Sequence, residues 1–129
     1  MLRKRHLAAT VITGALLLGA MAPGAHAKDG DVIRRGSCSG ASDWKLKLSP
    51  ENGRIEVEFE VDQNVAGQTW RVRINQNGDR IFAGSRVTKA PSGSFEVRVV
   101  TANTAGDDVF RAVAENLATG ERCVGRGTF

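Results

Sequence analysis

From Trp44 onward, apolar and polar residues alternate with a period of two, the spacing that sends successive side chains to opposite faces of a β-strand. Trp44, Leu46 and Leu48 alternate with Lys45 and Lys47; Ile55, Val57, Phe59 and Val61 alternate with Glu56, Glu58 and Glu60. The intervening Pro50-Glu51-Asn52-Gly53 reads as a four-residue hairpin loop. That loop sets Leu48 opposite Ile55, Lys47 opposite Glu56, Leu46 opposite Val57, Lys45 opposite Glu58 and Trp44 opposite Phe59. One face of the hairpin is then apolar, and the other pairs lysines with glutamates.

The same period continues. TWRVRINQ places Trp70, Val72 and Ile74 inward and Arg71 and Arg73 outward, and Asn77-Gly78 is a strong two-residue hairpin signal leading into DRIFAG, with Ile74 opposite Ile81. FEVRVV points Phe95, Val97 and Val99 inward. TAGDD turns the chain into VFRAVAEN, where alanines blur the alternation, and ATGE turns it into RCVGRG. The pattern predicts seven strands and admits an eighth at 32–37. Short, evenly spaced strands with no helical period predict an all-β fold, an antiparallel immunoglobulin-like or fibronectin-like sandwich, with a small β-barrel as its rival.

The beginning of the chain follows a different logic. Arg3, Lys4 and Arg5 precede an apolar stretch from Leu7 to Ala22, a Pro23-Gly24 break and the small-residue triplet Ala25-His26-Ala27. This is the three-part pattern of a secretory signal peptide, residues 1–27, and the run is shorter than the roughly 20 residues of a membrane span. Residues 28–41 read as a polar, glycine-rich arm and 42–129 as one β-sandwich domain. The expected location is secreted, extracellular, with no membrane attachment after signal removal.

Removing the leader changes the composition. Both histidines and both methionines lie within it and the chain has no tyrosine, so the mature protein lacks all three residue types. Three of the 18 basic residues leave as well, and the remaining 15 face 14 acidic ones. The near balance gives no support to a nucleic-acid partner. Cys38 and Cys123 are the only cysteines; with no histidine beside them and an oxidising compartment ahead, they are expected to form a disulfide rather than a metal site.

Candidate chemistry is sparse. A mature chain without histidine cannot build a Ser-His-Asp or Cys-His pair, and no motif supports another catalytic arrangement, so no catalytic residue, cofactor or metal is expected. Glu56, Glu58 and Glu60 invite a calcium or acid-base reading, but a regular strand cannot supply the six to eight oxygens calcium takes, and the cross-strand lysines account for the row. Trp44 and Trp70 fall on inward positions and read as core; Asp107 and Asp108 read as turn residues. The least stereotyped exposed segment is SRVTKAPSGS, residues 85–94, where Pro91 and Gly93 set a turn and Arg86 and Lys89 offer positive charge. Arg86, Lys89 and Pro91 are the candidate interaction residues.

RRGSCSGASDWKLKL, RIEVEFEVD, GQTWRVRI, APSGSFEVR and TGERCVG together resemble the small, secreted, single-domain proteins common in actinobacteria, most of which have no assigned function. The resemblance implies a secreted immunoglobulin-like β-sandwich and carries no catalytic residues. Subtilisin-inhibitor-like proteins and enediyne-carrying apoproteins from the same bacteria are also similar, although they usually have two disulfides. The expected function is a non-catalytic binding or interaction module with a protein or other partner in the cell envelope or extracellular space. The alternatives are a protease inhibitor using the 85–94 loop and a small-ligand carrier with a cleft between its sheets.

Overall fold

The computed structural model describes residues 28–129, and the expected signal peptide lies outside the described residues. Eight strands follow one another: β1 (Val32–Ser37), β2 (Asp43–Glu51), β3 (Arg54–Asp62), β4 (Thr69–Gln76), β5 (Asp79–Val87), β6 (Ser94–Ala102), β7 (Val109–Asn116) and β8 (Arg122–Thr128). They form two antiparallel sheets, a front sheet ordered β1-β2-β3-β6 and a back sheet ordered β5-β4-β7-β8. Each sheet keeps two edges, so the architecture is a sandwich and not the rival barrel. With β1 set aside, three strands face four in the order of a fibronectin-like sandwich. The strand admitted at 32–37 is β1, so the segment expected as a polar arm extends the front sheet instead.

The inward positions read from the sequence form the core. Leu46, Leu48, Ile55, Val57, Phe59 and Val61 of the front sheet and Trp70, Val72, Ile74 and Phe110 of the back sheet are fully buried. Each such side chain contributes about 1.5–3 kcal/mol by leaving water. The alanines that blur β7 also point inward: Ala112 and Ala114 are buried among the core residues. Trp44 is half-buried, its ring 6.4 Å from that of Phe59.

Two registers differ from expectation, both for reasons of turn chemistry. The β2–β3 loop is the two-residue Asn52-Gly53, with Glu51 opposite Arg54, and not the four-residue segment from Pro50 to Gly53. Both turn residues have positive φ, 49° and 76°, as in the second hairpin at Asn77 and Gly78, 50° and 84°; this is the type I′ geometry that suits the twist of paired strands and that Asn-Gly adopts at little cost. Leu48 therefore faces Val57, and Lys47 and Lys45 face Glu58 and Glu60 in place of Glu56 and Glu58. Pro50 can sit in β2 because β1 ends opposite Leu48, leaving no neighbour that needs its missing N–H. In the second hairpin Ile74 faces Phe82, not Ile81, because a β-bulge leaves Ile81 unopposed between Arg80 and Phe82.

The expected disulfide is present. Cys38, in the β1–β2 loop, bonds Cys123 of β8 with their Cα atoms 4.3 Å apart. The bond joins the front sheet to the back. Around it, Ser39 N–H donates to Arg122 O and Arg122 N–H to Ser39 Oγ, both at 2.8 Å. The Glu121 carboxylate accepts from Ser42 N–H at 2.9 Å and Ser42 Oγ–H at 2.6 Å.

Candidate functional site

The β3–β4 connection (63–68), the β5–β6 connection (88–93) and the β7–β8 turn (117–121) meet at one end of the sandwich. Backbone bonds cross between them: Gln63 N–H to Gly93 O at 3.0 Å, Gly67 N–H to Thr88 O at 2.8 Å, and Leu117 N–H to Thr69 O at 3.0 Å. Beneath the loops lies a polar network. Trp70 Nε1–H donates to Gln63 Oε1 at 3.0 Å, Gln63 donates to Gln68, and Asn116 Nδ2–H donates to Gln68 Oε1 at 2.7 Å. Asn116 Oδ1 accepts from the Ala118 and Thr119 N–H groups at 2.8 and 3.1 Å, and Thr88 Oγ1 accepts from Gln68 N–H at 3.0 Å. Asn116 and Thr88 are buried, where a polar group left without partners would cost 1–3 kcal/mol, so the network holds the loops in one arrangement.

The three candidate residues separate within this end. Lys89 and Pro91 are exposed at the tip of a tight turn, which Lys89 N–H closes onto Ser94 O at 3.0 Å and Gly93 N–H onto Lys89 O at 2.8 Å; the Ala90-Pro91 peptide is cis. Arg86 lies back on its own strand. Its guanidinium sits 5.1 Å from the centre of the Phe82 ring and donates to Ser85 O. Sequence reasoning missed Val65, Val87 and Leu117, which are about half exposed around the same loops and account for three of the five large apolar side chains left in solvent among the described residues. Exposed aliphatic side chains on loops held by a hydrogen-bonded frame suit recognition.

Gly93 is the keystone of this arrangement. Its φ is +68°, and a Cβ there would lie 2.3 Å from Val65 N and 2.6 Å from Asn64 C, both backbone atoms. Gly93→Ala is expected to cost about 2 kcal/mol and to separate the 63–68 and 88–93 loops. Thermal unfolding measures the loss, and faster hydrogen exchange at Gln63 and Gly67 locates it.

The glutamate row belongs to the outer face of the front sheet. Glu58 has Lys47 Nζ at 3.8 Å across the strand pair, and Arg98 of β6 forms an ion pair with Glu56 and reaches Glu58 at 4.0 Å. Arg98 is the neighbour the hairpin reading could not supply. Glu56 is only 8% exposed, although it points to the outer face. The two carboxyls also hydrogen-bond one another and divide their protonation. The Arg98 bond, aided by that from Glu58, holds Glu56 down at about 2, whereas burial, the bond from Glu56 and the nearby Glu96 push Glu58 up to about 7.

A carboxyl whose folded value exceeds its unfolded one binds more protons when folded, so stability falls as pH rises between 4.5 and about 7. Glu56 acts in the opposite sense, its contribution being lost as pH falls from 4.5 through about 2. Thermal midpoints are therefore expected to decline from about pH 5 to 8. Glu58→Gln should flatten that decline, and an unchanged slope would remove Glu58 as its cause.

Concave surface is found outside the core. A groove of about 500 Å³ is lined by the outward-facing Arg35, Asp43, Lys45, Glu60 and Asp62 together with Gly36 and Trp44. A carrier would instead need an apolar cleft between the sheets, where the core side chains are packed to zero exposure. Among the described residues no three His, Cys, Asp or Glu side chains are grouped to hold a metal, and no helix is long and apolar enough to cross a membrane. Compared with known proteins, the chain matches no family model and no curated protein.

Proposed function

We propose that this protein is a secreted, non-catalytic binding module of the cell envelope or extracellular space, which engages a protein partner through the loop end of the sandwich. The observation that carries the reading is the partly buried network from Trp70 through Gln63 and Gln68 to Asn116, which fixes three loops while Val65, Val87, Leu117, Lys89 and Pro91 stay outside it. Preorganised loops lose little entropy on binding, and exposed aliphatic side chains supply the apolar area to bury. The leader pattern and the disulfide support an oxidising, exported setting.

The test is affinity capture from secreted and cell-wall fractions with the wild type and with a Val65→Glu, Leu117→Glu double variant. A partner retained by the wild type and lost by a folded variant supports the loop end. Capture of nothing, or equal capture by both, overturns it. The protease-inhibitor alternative rests on the exposed Lys89. A protease, however, pairs with an extended segment, and here the Lys89 N–H is already engaged with Ser94 O. Inhibition of a trypsin-like protease that disappears in Lys89→Ala would favour the inhibitor over the module.

A further inference from the structure

The near-neutral mature composition conceals an uneven charge distribution, which only the strand registers bring out. On the outer face of the back sheet, Arg80 of β5, Asn75 of β4, Arg111 of β7 and Arg126 of β8 form one row across all four strands. Two rows further along, Arg71 stands beside Glu115, which stands beside Arg122; between these rows Arg73 lies beside Val113. This face thus carries six arginines, no lysine and a single carboxylate within the sheet. The opposite face is mixed, with Arg35, Lys45, Lys47, Arg54 and Arg98 set among its carboxylates. Glu56, Glu58, Glu60, Glu96, Asp43 and Asp62 all project from the front sheet.

The ion pairs follow the same division. Lys28 with Glu51, Lys47 with Asp31 and Glu58, and Arg98 with Glu56 and Glu58 all lie on the front side. Among the described residues none of the six back-sheet arginines makes an ion pair, and residues 1–27 contain no Asp or Glu that could provide one. Self-repulsion among like charges is a standing cost, which an anionic partner would relieve.

We propose that the arginine face of the back sheet binds a linear, phosphate-bearing polyanion. Guanidinium groups form paired, forked hydrogen bonds to phosphate that an ammonium cannot match, and this face uses arginine alone. The row from Arg80 to Arg126 spans three inter-strand gaps, about 14 Å, and Arg71 and Arg73 stand about 7 Å apart along β4, so the charges extend as a track. A depression of about 390 Å³ between β4 and β5 is lined by Arg71, Arg73 and Arg80 with the small Ala83, Gly84 and Ser85, leaving room for an anionic group among three guanidiniums. The outward positions of this sheet hold no aromatic side chain, and so no platform for stacked bases of the kind single-stranded nucleic acids use. The track borders the loop end, since the row of Arg71 lies next to that of Thr69 and Val87, but it shares no residue with the loop patch, and either can fail without the other.

Inorganic polyphosphate is the probe, titrated into the folded, exported chain at several salt concentrations. Binding is expected to weaken steeply with salt, and Arg71→Gln, Arg73→Gln, Arg80→Gln together should lower the affinity about tenfold or more and reduce the log–log salt slope by about two. Arg34→Gln, Arg35→Gln, Lys45→Gln, an equal charge change on the front sheet, should alter it less than about twofold. The charge-preserving Arg71→Lys, Arg73→Lys, Arg80→Lys should still lose about threefold, because the forked contacts go while the charge stays. No binding at low salt, equal losses from the front and back triples, or wild-type affinity in the lysine triple overturns the proposal. So does tighter binding to heparin, to a single-stranded oligonucleotide or to anionic phospholipid vesicles than to polyphosphate. Circular dichroism of each variant confirms that the sandwich is intact, since every substituted side chain lies on an outer surface or at an exposed strand position.

Discussion

Replacing Asp108 by alanine is expected to lower stability by about 4 kcal/mol, which for a domain of this size shifts the thermal midpoint by roughly 15–25 °C. Asp108 is fully buried at the end of the sandwich opposite the loops. Among the described residues it has no cationic partner, and hydrogen bonds satisfy it. Its carboxylate accepts from Gln76 Nε2–H at 2.8 Å, Asn77 Nδ2–H at 3.1 Å, Thr104 N–H at 3.0 Å and Thr104 Oγ1–H at 2.6 Å. Its backbone pairs with Phe129 in both directions. One residue thus joins the β4–β5 hairpin and the β6–β7 loop through its side chain and the last strand's end through its backbone. Alanine would remove the one acceptor that these four donors share, and with it the link between buried Gln76 and the exposed Asn77 and Thr104. Burial by itself would raise this carboxyl, but the bonds from Thr104, Gln76 and Asn77 outweigh it and hold the group below its ordinary 3.8. Its stabilisation is therefore complete above that value and is lost as pH falls through the depressed one, so Asp108→Asn should both weaken the protein and blunt its acid unfolding. A midpoint within a few degrees of wild type in Asp108→Ala would contradict this account.

Reduction of the Cys38–Cys123 bond should have an effect of similar size. The cysteines are separated by 85 positions, and the chain-entropy model gives about 4.5 kcal/mol for a loop of that length. The measured loss is expected to be somewhat smaller, because the bonds from Ser39 to Arg122 and from Ser42 to Glu121 still join the two segments after reduction. β1 has the front sheet on only one side, so hydrogen exchange over Val32–Ser37 should accelerate first. Calorimetry with and without dithiothreitol measures the energy. An unchanged midpoint would mean that the bond is structurally idle.

Much of this fold was legible because alternation is a direct consequence of burying one face of each strand. Every front-sheet core position from Leu46 to Val61 and every back-sheet one from Trp70 to Ile74 follows from period two alone. Registers were harder, since a two-residue shift preserves which face is buried and the pattern cannot detect it. Asn52-Gly53 held the correct turn, but reading Pro50 as a loop residue obscured it. The buried polar groups had a signal that was not used: Gln76, Asp108 and Asn116 all continue the inward parity of their strands, as polar residues where apolar ones were due. A polar residue at such a position needs a partner, and these three anchor the networks at the two ends of the sandwich. The arginine face was illegible for another reason. Arg71 and Arg73 read correctly as outward, but their company with Arg111 and Arg126 depends on which strands are neighbours, and no local pattern contains that.

The two Asn-Gly turns also bear on how the molecule ages. Asparagine followed by glycine is the pair most prone to cyclise to a succinimide and hydrolyse to aspartate or isoaspartate, a reaction that requires the side-chain carbonyl to reach the next backbone nitrogen. Asn77 is restrained against it: its amide donates to Asp108, and its Oδ1 accepts from Val109 N–H at 2.8 Å. Asn52 has no such tether among the described residues and is exposed at the tip of its hairpin. Identical in sequence and in turn geometry, the two sites should run as clocks of different speed, with the first additional negative charge of an old molecule appearing at residue 52, on the side that already carries the glutamates.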